Sequence, residues 1–344
     1  MKTAPRRRKK AAQISVKMLD TKLTAFYKAL IILQKIKGGR TWVMIKEQKR
    51  EELYGLLGDL PDRHMPVLSK LISKEERENF YIERLVLDLN GIEPVPAYFI
   101  YPKNTCGKIP VILFNHSHGG NYHIGKDELL NSASYMYKKC YAEELTECGF
   151  SVLCIDEWGF GERRGRTESE IFKEMLWNGQ VMWGMMVYDS IKAIDYLFTR
   201  QDVDSERIGT LGMSMGSTKA WWLSALDTRV KVCVDICCMT DFQSLIETQG
   251  LDGHSGYYYV PKLLKYFTAA QINTLISPRP HLSLNGIYDR LTPKKGLDII
   301  NKELKKIYKE DSAEECFELK KYHTAHLETA EMREETIKFL NKWL

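Results

Sequence analysis

The 344-residue chain is 44% apolar, 11% aromatic and 28% charged, values that exclude a fibrous, low-complexity or wholly disordered protein. No apolar run approaches the ~18–20 residues of a membrane-spanning helix. The net charge of +5 is uneven, with 15 Lys/Arg against 2 Asp/Glu in residues 1–50 and 35 against 43 in the remainder, and a basic arm on an acidic body argues against a nucleic-acid-binding face.

Residues 1–13 contain the run Arg6-Arg7-Arg8-Lys9-Lys10 and read as a solvated tail. From 14 to 36, apolar positions recur every three or four residues among lysines, which predicts a basic amphipathic helix stopped by Gly38-Gly39. Residues 1–40 are thus an arm distinct from a domain over 41–344. Docking on the body or on a second subunit is the favoured role of its apolar stripe, with weak contact to an anionic membrane surface as the alternative. Lys28 interrupts the best secretory core and no A-x-A-like site follows. The eight cysteines include no CxxC pair, so they read as free thiols. A cytoplasmic protein is expected, without stable membrane insertion, and a homo-oligomer is allowed.

A helix is predicted over 43–57, and strands over 80–89 and 94–101 as a hairpin. Short apolar runs at 110–114, 150–155, 207–211, 230–236, 282–284 and 317–322 then alternate with helical stretches near 126–148, 178–200, 216–226, 294–309 and 329–343. That rhythm specifies an α/β fold with a mostly parallel, doubly wound sheet covered on both faces. The Tyr- and Gly-rich stretch 240–280, with one short helix around 261–268, reads as an insertion where a lid would lie.

In such a sheet, chemistry gathers at the carboxyl ends of the strands. The strand at 207–211 runs into Gly212-Met213-Ser214-Met215-Gly216 and then a helix. A serine on so sharp a turn needs small neighbours and has its hydroxyl lifted clear of the sheet. It needs a base and an orienting acid, in the chain order Ser, Asp or Glu, His. Asp289 follows the strand at 282–284, and two histidines, His323 and His326, follow the next. His323 ends the strand as a packed residue would, whereas His326 sits in the loop and is preferred. The Met215 N–H lies directly after the nucleophile and is one oxyanion donor. The second is expected from the loop Asn115-His116-Ser117-His118-Gly119-Gly120-Asn121-Tyr122-His123. Its three histidines have no carboxylate or cysteine ligand beside them, so an oxyanion loop is preferred to a metal site.

The Gly-x-Ser-x-Gly elbow, the His-x-His-Gly-Gly loop and the Ser–Asp–His order resemble the α/β-hydrolase superfamily. The nearest likeness is to its dienelactone-hydrolase-like and acetyl-xylan-esterase-like branch. Gly125-Lys126-Asp127-Glu128, Asp156-Glu157-Trp158-Gly159-Phe160-Gly161-Glu162-Arg163, Ser277-Pro278-Arg279-Pro280 and His326-Leu327-Glu328-Thr329 carry the resemblance further, over about 50–344. It implies Ser214 as nucleophile, Asp289 as orienter, His326 as base, and His118 and Met215 as oxyanion N–H donors. Ser117 and Ala325 stand where the branch usually has glycine. Dienelactone hydrolases proper use cysteine, and a serine at 214 shifts the expectation to ordinary esters. His116, Tyr122, Trp158 and Tyr258 are candidates for the substrate pocket. Glu162 and Arg163 read as a structural ion pair, and Trp177, Trp183, Trp221 and Trp222 as helix-packing residues. The expected function is a serine hydrolase acting, without metal or organic cofactor, on a small-molecule ester with a short or acetyl acyl group, including carbohydrate esters. A peptidase, amidase or thioesterase on the same fold, or a non-catalytic binding protein, is the alternative.

Overall fold

The computed structural model describes residues 45–103 and 105–344; the predicted tail and amphipathic helix lie outside them. The chain divides into units Met1–Glu51 and Glu52–Leu344. The described part of the first is helical, and the helix, α1, runs over residues 45–54.

The second unit is built on nine strands: β1 Leu68–Glu76, β2 Phe80–Asp88, β3 Val95–Pro102, β4 Ile109–Asn115, β5 Ser151–Ile155, β6 Val203–Met213, β7 Val232–Ile236, β8 His281–Gly286 and β9 Phe317–Tyr322. Their order is β1-β2-β3-β5-β4-β6-β7-β8-β9. β1, β2, β3 and β5 pair antiparallel, and every pair from β5 to β9 is parallel. The expected doubly wound sheet is therefore present, extended by an antiparallel edge. β1 escapes sequence reading because nearly all of it is exposed, so no buried face imposes alternation.

The remaining helices are α2 Glu128–Asn131, α3 Tyr141–Glu147, α4 Glu168–Trp177, α5 Met182–Thr199, α6 Met215–Leu226, α7 Phe242–Glu247, α8 Ala269–Thr274, α9 Lys294–Glu310 and α10 Ala330–Trp343. Alternation along the strands feeds two cores. In β4, Val111 and Leu113 point to the one that includes residues of α4, α5, α6, α8 and α9. Ile112 and Phe114 point to the other, with residues of α2, α3 and α10.

Three expectations are corrected. The helix near 126–148 is broken: Ser132 turns to φ +57°, and the loop that follows carries Tyr135 back to Glu128 and the Tyr137 N–H to Glu328. Residues 261–268 form only a 3₁₀ turn at Leu263–Lys265; the insertion's helices are α7, capped by Asp241, and α8, capped by Thr268 with Gln271. Trp183, Trp221 and Trp222 are buried as expected, but Trp177, at the end of α4, is 93% exposed.

Candidate active site

β6 delivers Ser214 to the turn before α6 with φ +57° and ψ −119°, a conformation costly for any residue with a side chain. The flanking glycines make it feasible: a Cβ on Gly216 would lie 1.9 Å from the Asn115 carbonyl oxygen, and one on Gly212 2.3 Å from the Gly216 backbone. The Ser214 N–H donates to the Ile236 carbonyl at 2.9 Å, tying the elbow to the end of β7.

Two neighbouring strand ends bring partners to this hydroxyl. Beyond β8 and β9, the Ile287 N–H donates to the Tyr322 carbonyl and the Tyr288 N–H to the Thr324 carbonyl, which lays the Asp289 loop along the His326 loop. A Cβ on Gly286 would strike the Ala325 carbonyl at 2.2 Å, so this approach also depends on a glycine. His326 Nε2 lies 2.8 Å from Ser214 Oγ, and His326 Nδ1 lies 2.7 Å from Asp289 Oδ2. The other Asp289 oxygen accepts the Leu291 N–H at 2.9 Å. A carboxylate that takes the Nδ1 proton leaves the Nε2 lone pair facing the serine hydroxyl. His323 is exposed and meets the Tyr288 hydroxyl at 3.3 Å, so of the two histidines His326 is the one brought to Ser214.

The loop after β4 is locked from below. The Glu128 carboxylate accepts the Ser117 N–H at 2.9 Å, the Ser117 hydroxyl at 2.5 Å and the Tyr135 hydroxyl at 2.8 Å. Burial pushes the Glu128 carboxyl up to about 7, although these bonds oppose the shift. The serine found where the branch has glycine thus supplies a second bond to a buried acid. The next residue, His118, accepts the Gly120 N–H on Nδ1 at 2.9 Å, so its Nε2–H donates to the Tyr257 hydroxyl at 2.8 Å. Burial lowers its pKa to about 4, leaving the ring neutral.

Two of the four pocket candidates are misassigned. His116 is fully buried, donates from Nδ1 to the Ser117 carbonyl at 2.8 Å and accepts the Glu157 N–H on Nε2 at 3.1 Å. Both nitrogens are used within the fold, and burial pushes its pKa down to about 3. Trp158 is buried against the Arg163 guanidinium, 4.3 Å from its ring. Tyr122 does stand beside the site, its ring 5.2 Å from that of His118 and stacked on Phe160 at 4.5 Å. Its hydroxyl donates to Glu168 and lies 3.1 Å from Ser255 Oγ. Tyr258 stacks on His254 at 4.4 Å and lines an apolar cavity of about 350 Å³ inside the insertion. Glu162 and Arg163 do not pair with each other: Arg163 joins Glu93 and Asp189, and Glu162 joins Lys126.

Sequence reasoning missed the roles of Glu128, Glu168, His254 and the fully buried pair of Lys219 on α6 with Glu157. Each is a common residue type without distinctive spacing. Only the packing of separate segments gives them their partners.

No family model matches the chain. Over 300 residues, 87% of this chain and the whole of its relative, it is 54% identical to the Bacillus subtilis (strain 168) protein "Putative hydrolase YtaP". The chain belongs to the α/β-hydrolase superfamily. Among solved structures, this hydrolase chain is similar to the glucuronoyl esterase from Solibacter usitatus, with a TM-score of 0.63 and 15% identity over 86% of this chain and 92% of that one. It is also similar to the acetyl xylan esterase from Paenibacillus sp. R4, with a TM-score of 0.59 and 18% identity over 87% and 94%. At these identities the structural likeness speaks for the fold, and the elbow's position at the end of β6 is where an α/β-hydrolase sheet carries its chemistry.

Proposed function

We propose that the protein is a serine hydrolase of carboxylic esters, with Ser214 as nucleophile, His326 as general base and Asp289 as the group that orients it. The observation that carries this reading is the relay of 2.8 Å and 2.7 Å from Ser214 through His326 to Asp289. As Ser214 Oγ attacks the acyl carbon, its proton passes to His326 Nε2, and Asp289 stabilises the imidazolium. The carbonyl oxygen gains its charge between the N–H groups of Met215 and His118; such donors are worth roughly 3–4 kcal/mol each in comparable enzymes. The alcohol leaves with the proton from His326, and water, deprotonated by the same nitrogen, hydrolyses the acyl-enzyme. A neutral His118 ring adds no second positive charge beside the imidazolium.

The surroundings support a substrate class. His118, Tyr257, Ser255, Tyr122 and Glu168 form a chain of polar groups beside the relay, suited to a hydroxyl-bearing alcohol. Together with the acetyl-xylan-esterase and glucuronoyl-esterase neighbours, this supports a short or acetyl ester of a carbohydrate. The deciding experiment compares p-nitrophenyl acetate with longer acyl homologues and acetylated xylo-oligosaccharides, using wild type and Ser214→Ala. Turnover and fluorophosphonate labelling should vanish in the variant with the fold intact. Labelling that persists would refute the nucleophile, and preference for long acyl chains would refute the substrate class.

A further inference from the structure

Directly beside the relay lies a thiol that the hydrolytic reaction does not use. Cys237, the first residue after β7, is fully buried in a left-handed backbone conformation with φ +56°. Its Sγ, an Asp289 carboxylate oxygen and a His326 ring nitrogen all lie within 4.8 Å of one another. The thiol makes a long 3.8 Å hydrogen bond to the Leu327 carbonyl. Sulfur, imidazole nitrogen and carboxylate oxygen are the donor set of tetrahedral zinc, with metal–ligand distances of ~2.0–2.3 Å. Such distances require only small shifts from three groups already this close.

We propose that Cys237, Asp289 and His326 form an inhibitory site for a thiophilic divalent cation of the zinc class, with water as fourth ligand. The cation enters from the His326 side, the part of this cluster that solvent reaches. It takes the place of the proton shared by His326 Nδ1 and Asp289. Cys237 Sγ–H loses its proton to solvent as the Zn–S bond forms. The imidazole stays neutral by moving its own proton from Nδ1 to Nε2. The two charges of the cation are then balanced by one thiolate and one carboxylate, so the buried site, negative without metal, becomes neutral. The cost falls on catalysis: a protonated Nε2 cannot accept the proton of Ser214. A bound metal thus converts the general base into a hydrogen-bond donor.

A second buried cluster, Cys233, Asp235 and His281, meets the same proximity, and like Asp289 its Asp235 has both oxygens hydrogen-bonded, by His281 at 2.7 Å and Ser283 at 2.8 Å. All three residues are sealed within the sheet, so Cys233→Ser serves as the control.

The inhibitory consequence rests on the serine-hydrolase reading, whereas metal binding does not, and the experiment separates them. Each protein is titrated with Zn²⁺ while hydrolysis of p-nitrophenyl acetate is followed relative to its own metal-free rate, then treated with EDTA. Wild type and Cys233→Ser should be inhibited and recover with EDTA. Cys237→Ser should need at least tenfold more metal, about 1.4 kcal/mol. Cys237→Gly, matched to the left-handed backbone, is the second variant should serine disturb folding. Independently of turnover, Co²⁺ should give a thiolate-to-cobalt charge-transfer band in wild type and in Ser214→Ala, and none in Cys237→Ser or Cys237→Gly. Equal zinc sensitivity of wild type and both Cys237 variants, or no cobalt band in wild type, would overturn the site. A cobalt band in a protein without esterase activity would instead leave the site standing and refute the hydrolase reading.

Discussion

Glu128 offers a measurement in which burial, hydrogen bonding and pH can be separated. Its carboxyl is fully buried and pushed up to about 7 from an ordinary value of 4.5. In the window between those values, the folded protein holds a proton that the unfolded chain has released. Stability is therefore fullest below the unfolded value and is lost as the pH rises through the folded one. A separation of about 2.5 pH units corresponds to about 3 kcal/mol at 1.36 kcal/mol per unit. Glu128→Gln keeps the shape and stays neutral. Its amide oxygen can accept the Ser117 N–H, and its NH₂ can donate to the Ser117 and Tyr135 hydroxyls, which reverse their roles. Urea unfolding at about pH 5 and about pH 8 measures the effect. Wild type should lose roughly 2.5 kcal/mol more than Glu128→Gln between the two. Parallel pH dependences would refute the argument, and would mean that the hydrogen bonds from Ser117 and Tyr135 outweigh desolvation.

Other expectations follow from the same geometry. Gly216→Ala places a methyl 1.9 Å from the Asn115 carbonyl, so thermal unfolding should show a loss of ~3 kcal/mol or more or a failure to fold. Lys219→Met leaves Glu157 buried without its cation and should cost ~3–5 kcal/mol, whereas Lys219→Met with Glu157→Gln should recover much of that loss; an equally unstable double variant would count against the pairing. Asp289→Asn should lower kcat about 10⁴-fold, as a misdirected His326 tautomer does, with little change in Tm. Deleting residues 1–40 should leave p-nitrophenyl acetate turnover intact; salt-sensitive liposome binding that disappears with the deletion would favour a membrane role for the arm over docking.

The elements legible in the sequence are those whose environment is uniform along their length. β4, β5 and β7 are apolar almost throughout because both faces of the sheet are covered, and the turn after β6 is legible because its dihedral geometry excludes all but small neighbours. Ser214, Asp289 and His326 could be proposed for a related reason, since each stands at a strand end in an order that the sheet topology makes meaningful. β1 and α4 were not legible: one is exposed on nearly all sides, and the other is signalled chiefly by a capping box at Thr167 and Glu170.

Pocket residues failed for a different reason. His116 and Trp158 sit in the right segments, but a side chain points into a cleft or beneath it according to partners far away in sequence. His116 turns inward because the Glu157 N–H, 41 residues on, meets its Nε2. His118, two residues later, reaches the insertion because Tyr257 receives its proton. The placement of Glu128 under Ser117, and of Cys237 beside Asp289 and His326, likewise comes from packing between separate strand ends. The sequence by itself determined the sheet and the elbow, because local dihedral preference and burial periodicity act over a few residues. Only the tertiary structure decided which of two histidines meets the serine, which polar groups line the site and which are buried beneath it, because those outcomes depend on hydrogen-bond partners that the chain brings together across 40 to 140 residues.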